Sequence, residues 1–254
     1  MRSLSQLVIF AAIAAIAAST GCRSLERESY EQGLEAYERG DFDEALRIWH
    51  PLAEAGYMRA QARLGVMYFN GEGVARDARE AVSYWTEAAA QGSLEAKIGL
   101  GNAYASGRGI ERNLEVAVRW WRMAAERGHV DAQVGLGNAY VNGHGVEQDF
   151  AEAERWWKKA AAQGSEEAKY GLGTMYLGEL EGLEGEPSEG VELLGELAAN
   201  EHADAQYFLG LIYRAGGVVE RDEARSRELF EAAAAQGHDE AAARLRRLDE
   251  ASAR

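Results

Sequence analysis

The stretch Ala60-Gln61-Ala62-Arg63-Leu64-Gly65-Val66-Met67-Tyr68 decides how this chain is read. Its positions 60, 64, 67 and 68 fall at spacings of four, three and one, which is one stripe of a helix. The same pattern returns from Ala96 and from Ala132 without gaps. Leu-Gly recurs as Leu64-Gly65, Leu100-Gly101, Leu136-Gly137, Leu172-Gly173 and Leu209-Gly210, and Tyr as Tyr68, Tyr104, Tyr140, Tyr176 and Tyr213. Further along each unit, Trp49, Trp85, Trp121 and Trp157 stand 36 residues apart. A period of this size marks an array of supersecondary units, and so an extended surface rather than one catalytic pocket.

Each unit reads as two helices. Helix A covers about Met58 to Asn70 in the first full unit, and Gly71-x-Gly73 then permits a sharp reversal. Helix B starts after Asp77, Asn113, Asp149 and Asp222, all good N-caps, and stops at Gly92, Gly128, Gly164 and Gly237. A glycine inside helix A costs roughly 1 kcal/mol relative to Ala, so its recurrence needs a packing reason. The expectation is close approach of helix B, with the Trp filling the space.

The end units depart from this pattern. The first, with Gly33-Leu34 and Tyr37, has a loop that counts five residues shorter from Tyr37 to Trp49 than from Tyr68 to Trp85. At the other end, Arg246 stands where Gly is expected, and Arg244, Arg246 and Arg247 predict a polar capping helix. The fourth full unit is irregular. Its acidic loop, 178–187, lacks the Gly-x-Gly spacing, Leu193 replaces the Trp, and one extra residue is placed near Glu201. That loop is either a tolerated irregularity or a bend or docking loop.

The chain has 254 residues, two of them Pro, with runs such as Ala88-Ala89-Ala90, which suits an all-helical protein. Its net charge of -15 argues against nucleic acid, whose binding rests on phosphate neutralisation. The acidity means either a solvated surface or a basic partner. Enzymatic signals are weak. His50, His129, His144, His202 and His238 lack zinc-ligand spacing and read as surface turn residues, and no metal or cofactor is implied. No Gly-x-Ser-x-Gly elbow occurs, and no phosphate loop follows a strand.

Leu7 to Ala18 is an uncharged run too short to span a bilayer, preceded by Arg2, with the shape of an export signal. The following Ala18-Ser19-Thr20-Gly21-Cys22 resembles the lipobox of bacterial lipoproteins, with Ser19 where Leu is usual. That resemblance implies cleavage before Cys22 and acylation of this sole cysteine; several acyl chains, at about 0.8 kcal/mol per methylene, anchor firmly. Arg23, in place of Asp, implies outer-membrane sorting with the protein facing the periplasm, surface exposure being the variant.

Ala-x-x-x-Leu-Gly-x-x-Tyr, then Gly-x-Gly-Val, then Trp-x-x-Ala-Ala-x-x-Gly closely resembles the Sel-one-like repeat, a relative of the tetratricopeptide repeat. The resemblance implies an all-α, right-handed α-solenoid of antiparallel helix pairs whose A helices line the concave side. The organisation expected is a signal peptide at 1–21, a lipidated Cys and tether at 22–29, and repeats over 30–250. Those repeats run 30–56, 57–92, 93–128, 129–164, 165–201 (degenerate) and 202–237, with a capping helix at 238–250.

Positions shared by all units serve shared packing, whereas varied ones are free for a partner. On helix A the varied positions are those of Ala62, Val66 and Phe69, one helical face. That face offers Asn102, Asn138, Tyr170, Tyr207 and Arg214 as partner-binding residues, suited to gripping a peptide through many modest contacts. The expected function is a non-enzymatic, monomeric, lipid-anchored scaffold holding a protein partner in its groove, in envelope assembly, export or signalling. A secreted host-directed binder and an envelope hydrolase of β-lactamase-like activity are the alternatives. For the hydrolase, the paired cysteines of such relatives are missing.

Overall fold

The computed structural model describes residues 25–178, 180 and 182–252. Among the described residues there are thirteen helices and no strand. The described residues form two compact units, one up to residue 124 and one from residue 125.

In the first unit the described helices are α1 (25–38), α2 (Phe42–Glu54), α3 (Met58–Asn70), α4 (Ala78–Ala90), α5 (Leu94–Ser106) and α6 (Leu114–Ala125), whose last residue begins the second unit. The second holds α7 (Val130–Asn142), α8 (Phe150–Ala161), α9 (Glu166–Tyr176), α10 (Pro187–Ala199), α11 (Ala203–Ala215), α12 (Glu223–Ala235) and α13 (Asp239–Ser252). In the first unit α2 packs on α3, α3 on α4 and α4 on α5; in the second, each helix from α7 to α12 packs on the next. The A helices α3 and α5 also touch, as do α7 and α9. This is the all-α solenoid expected from the repeat.

Local chemistry sets the helix boundaries. Asp77, Asp149 and Asp222 accept backbone N–H bonds from Glu80, Glu152 and Arg225, satisfying donors that a helix start leaves free. Asn113 does the same for Val116. Helix A ends on a left-handed glycine at Gly71, Gly107 and Gly143. Arg76, Arg112 and Gln148 then reach back from the loop to the carbonyls of Phe69, Ala105 and Val141.

The interior glycines have the packing reason expected of them. A Cβ on Gly65 would lie 2.3 Å from Trp85 Nε1, and one on Gly137 would lie 2.2 Å from Trp157 Nε1. Gly33 and Gly101 make the same cradle for Trp49 and Trp121. A second glycine closes the other side: Gly99 against Trp85 and Gly171 against Trp157. The first Gly of the Gly99-Leu100-Gly101 and Gly171-Leu172-Gly173 runs is thus part of the same cradle, a role its spacing alone did not reveal. Trp49, Trp85 and Trp157 are buried accordingly.

This cradle register corrects three readings. The residue on Gly173 is Leu194, fully buried, not Leu193. From Gly173 to Leu194 is 21 residues where Gly137 to Trp157 is 20, so the extra residue lies in the loop before α10 rather than near Glu201. The first unit's loop is four residues shorter, not five: Gly33 to Trp49 is 16 against 20 for Gly65 to Trp85. Tyr37 therefore matches Phe69, and buried Ala36 matches Tyr68. At the carboxyl end, α13 buries Ala241 and exposes Arg246 and Arg247, the polar cap predicted for the last repeat.

Candidate functional site

On the A helices, the position of Ala62 is used for packing. Tyr30, Ala62 and Val134 are buried there. Tyr30 lies 5.7 Å from the ring of Tyr57, the residue that precedes α3. Tyr170 and Tyr207, expected to face a partner, are half-buried in the same way. Tyr170 stacks on His202 with centroids 5.5 Å apart and 11° between planes, and Tyr207 lies 4.5 Å from His238 and 5.8 Å from Phe230. Burial, and then the Asp204 carboxylate, push the Tyr170 hydroxyl above its usual pKa. The position that is aromatic in one A helix is therefore paired with an aromatic N-cap of the next.

His202 and His238 are those caps, not free turn residues. Their Nδ1 atoms accept from Ala205 N and Ala241 N, each at 3.3 Å. Accepting at Nδ1 places the His238 proton on Nε2, 3.3 Å from Asp204 Oδ1. Ser93 and Ser165 do the same capping in neighbouring repeats. His50 lies on α2, between the hydroxyls of Tyr68 and Tyr84, each 3.4 Å from a ring nitrogen. Burial raises Tyr84 to about 12.

At the position of Val66 two A helices, α5 and α7, open to solvent, whereas Val66, Thr174 and Leu211 are half-buried. In the first unit Asn102 is exposed, its Oδ1 accepting from Trp121 Nε1 at 3.0 Å. In the second, Asn138 is exposed and donates to Glu167 at 3.1 Å. Arg214, at the Phe69 position in the last turn of α11, is also exposed. The residues are not brought together: Asn138 is held by Glu167, Tyr170 by His202, and Tyr207 by Phe230 and His238. Cys22 lies outside the described residues. Among the described residues no cluster of three or more His, Cys, Asp or Glu could hold a metal, and no helix is long and apolar enough to cross a membrane.

Two polar devices went unseen in the sequence. Gln61, Gln133 and Gln206 are buried, and each donates to the last turn of the preceding helix, at Ala53, Ala125 and Ala198. Each also accepts from a second glutamine, Gln91, Gln163 or Gln236. This clamp occupies alternate repeats, so a search for positions identical in every unit passes over it.

The other device is Glu154 on α8, whose side chain is 3% exposed. It accepts from Tyr176 Oη at 2.8 Å, Glu184 N at 2.9 Å, Gly185 N at 3.0 Å and Lys158 Nζ at 2.8 Å. Burial opposes its charge, but Lys158, the Glu184 amide and Tyr176 outweigh that and hold the carboxyl below its usual range. Its place in the repeat is that of Leu46, Val82, Val118 and Val191, so a carboxylate on an apolar stripe was the available signal. It ties the irregular loop to α8.

These features define a class: an α-solenoid repeat protein whose helix pairs are locked by a glycine–tryptophan cradle. Sel1 repeats match residues 28–57, 59–93, 94–129, 130–165, 166–202 and 203–238, and the chain belongs to the Sel1 repeat family. Its fold is similar to that of a protective antigen of uropathogenic Escherichia coli displaying an SLR fold. That likeness has 34% identity and a TM-score of 0.76, over 85% of this chain and 47% of the antigen. This chain thus spans about half the length of that antigen. A Sel1 repeat protein of Oxalobacter formigenes is similar at 29% identity and a TM-score of 0.73, over 81% of this chain and 84% of that one. No curated protein sequence matches the chain.

Proposed function

We propose that this protein is a non-enzymatic scaffold that binds a protein partner along its A-helix face. We further propose that it is exported and anchored through acylated Cys22 in the outer membrane, facing the periplasm. Membership of a family of helix-pair scaffolds, commonly used for protein–protein interaction, supports the coarse part. The observation that carries the finer part is the exposure of Asn102 and Asn138 at a position flanked by buried, shared packing residues. Amides there offer donors and acceptors to a peptide backbone.

The test places a photo-crosslinking residue at Asn102, at Asn138 or at exposed Thr86 on α4, in cells of the native host. The Asn102 and Asn138 variants should each yield a defined envelope-protein adduct that Thr86 does not. The same adducts from all three sites would sink the reading. The anchor is tested separately, by mass spectrometry of the mature amino terminus: acylated Cys22 is expected, and an unmodified terminus refutes it. The likeness to a protective antigen favours a second reading, a host-directed binder. For this reading, release of the Cys22→Ser protein without loss of function is expected.

A further inference from the structure

Just before the residue that fills the glycine cradle, the B helices α4, α6 and α8 carry an aromatic ring, Tyr84, Trp120 and Trp156. In the first compact unit, Tyr84 and Trp120 each lie against the core cluster of the pair before them. In the second, Trp156 of α8 is buried at the same register. On α10 this position is Leu193, which packs against the cluster built around Trp157 and Leu172. Leucine lacks the ring present in those three repeats.

Beside Leu193 the structure leaves an open cleft of about 570 Å³, with Ala161 of α8 and Leu172 of α9 among the residues that line it. Its rim is acidic. Glu189, Glu192 and Glu196 are spaced by three and four, one stripe of α10. Lys169 pairs with Glu196, and Lys158 is held by Glu154 and Glu184. Glu189 and Glu192 are exposed and make no ion pair among the described residues. An apolar gap is thus flanked by two uncompensated carboxylates on a chain of net charge -15.

We infer that this cleft between α8 and α10 is a docking site for a partner protein's segment that presents an aromatic side chain between basic ones. The repeats of α4, α6 and α8 show what chemistry fits, an aromatic ring at this register, where α2 and α12 carry the aliphatic Ile48 and Leu229. The free carboxylates set the flanking charge. A single buried aromatic anchor with a charged rim is the usual economy of a protein interface. The site lies between the B helices α8 and α10, over Leu172 and Tyr176 of α9, and includes neither Asn102 nor Asn138.

The test titrates the full chain, with labelled leucine methyl groups, against the blocked peptide Lys-Trp-Lys. Leu193 and Leu172 methyls should shift and saturate with a Kd on the order of 1 mM, as suits a tripeptide. Leu193→Trp, which fills the gap with the residue found at this register in α6 and α8, should weaken binding about 10-fold or more, roughly the contribution of one anchor. The double variant Glu189→Gln, Glu192→Gln changes only exposed groups; it should weaken binding about 3-fold and remove the salt dependence. Asn138→Ala should leave the titration unchanged, separating this site from the A-helix face. The inference is overturned if no methyl shift appears by about 10 mM. It is equally overturned if Glu-Trp-Glu or Lys-Ala-Lys binds as well as Lys-Trp-Lys, or if Leu193→Trp, folded by circular dichroism, binds as tightly as the parent.

Discussion

Two neighbouring helix pairs in the second compact unit solve the same packing problem differently. In α7–α8, Gly137 and Gly171 clamp the Trp157 ring, and the loop turns on Gly143 and Gly145 in left-handed conformations. In α9–α10, Gly173 is kept but faces Leu194, and the loop is fastened by the buried carboxylate of Glu154. The glycine outlasts the ring it once cradled because the helices still approach closely there: a Cβ on Gly190 of α10 would lie 2.7 Å from the Gly173 carbonyl oxygen. Backbone proximity, more than the aromatic, is what the repeat conserves within this chain. The side chain filling the gap is negotiable, and a loop that loses its turn glycines needs another fastening.

The largest difference should come from adding one methyl group to each cradle. In Gly137→Ala the new Cβ meets Trp157 at 2.2 Å, and on the ring's other side even a Cβ on Gly171 would lie within 3.0 Å of it, so the ring has little room to retreat. The expected loss is about 3 kcal/mol, the upper end for overpacking a core. In Gly173→Ala the nearest atoms are Leu194 Cγ at 2.9 Å and the Gly190 carbonyl oxygen at 3.3 Å, both farther away than the Trp157 atoms that a Cβ on Gly137 meets. Helix propensity returns about 1 kcal/mol there, so the net loss should be about 1 kcal/mol or less. Urea unfolding followed by circular dichroism checks both. Equal losses would mean that the leucine is as tightly clamped as the tryptophan, and the contrast would collapse.

Next in size is the charge that fastens the irregular loop. Glu154→Gln keeps the shape but removes the ionised acceptor shared by Tyr176, Lys158 and two backbone amides. A loss of about 2 kcal/mol at pH 7 is expected for hydrogen bonds to a charged group. The pH dependence has a definite sign. Because the folded carboxyl titrates below its unfolded value, its contribution is complete above about pH 4.3 and fades as the pH falls through the lower folded value. Unfolding curves of parent and variant at pH 7, 5 and 3 should therefore converge in acid. A gap that persists at pH 3 would show that shape, not charge, holds the loop.

The two pairs were also unequally legible in sequence. Repetition made α7–α8 readable down to its caps, since Asp149, Gly137 and Trp157 each stand where their counterparts stand in other repeats. The same ruler misplaced α9–α10 by one residue. Counting from Trp157 by 36 lands on Leu193, whereas the extra loop residue moves the cradle to Leu194. Glu154 escaped because the departure lies in one repeat and its consequence in the next. A residue that breaks an apolar stripe looks like noise until the loop it serves is folded over it. Tyr170 and Tyr207, expected at a partner-facing position, are half-buried for a related reason: variation between repeats has two causes. These tyrosines vary together with His202 and His238, so the change is a paired repacking, whereas Asn102 and Asn138 vary while remaining exposed.

The smallest expected effect lies at the far end of the irregular pair. The regular repeats leave helix B through a left-handed glycine: Gly92, Gly128, Gly164 and Gly237 have φ between 87° and 103°. After α10 that place belongs to Glu201, the one non-glycine residue with positive φ among the described residues, at 63°. A side chain in this conformation meets its own backbone, a cost of roughly 1–2 kcal/mol that glycine avoids. Glycine also has more unfolded freedom to lose, which removes part of the gain. Glu201→Gly should therefore stabilise the chain by about 1 kcal/mol, whereas Gly164→Glu, the reverse change in the regular pair, should destabilise it by a similar amount. Thermal unfolding of the two variants side by side measures the asymmetry. If Glu201→Gly is neutral, the irregular pair has relaxed around its glutamate and departs from the repeat in its exit as well as in its loop.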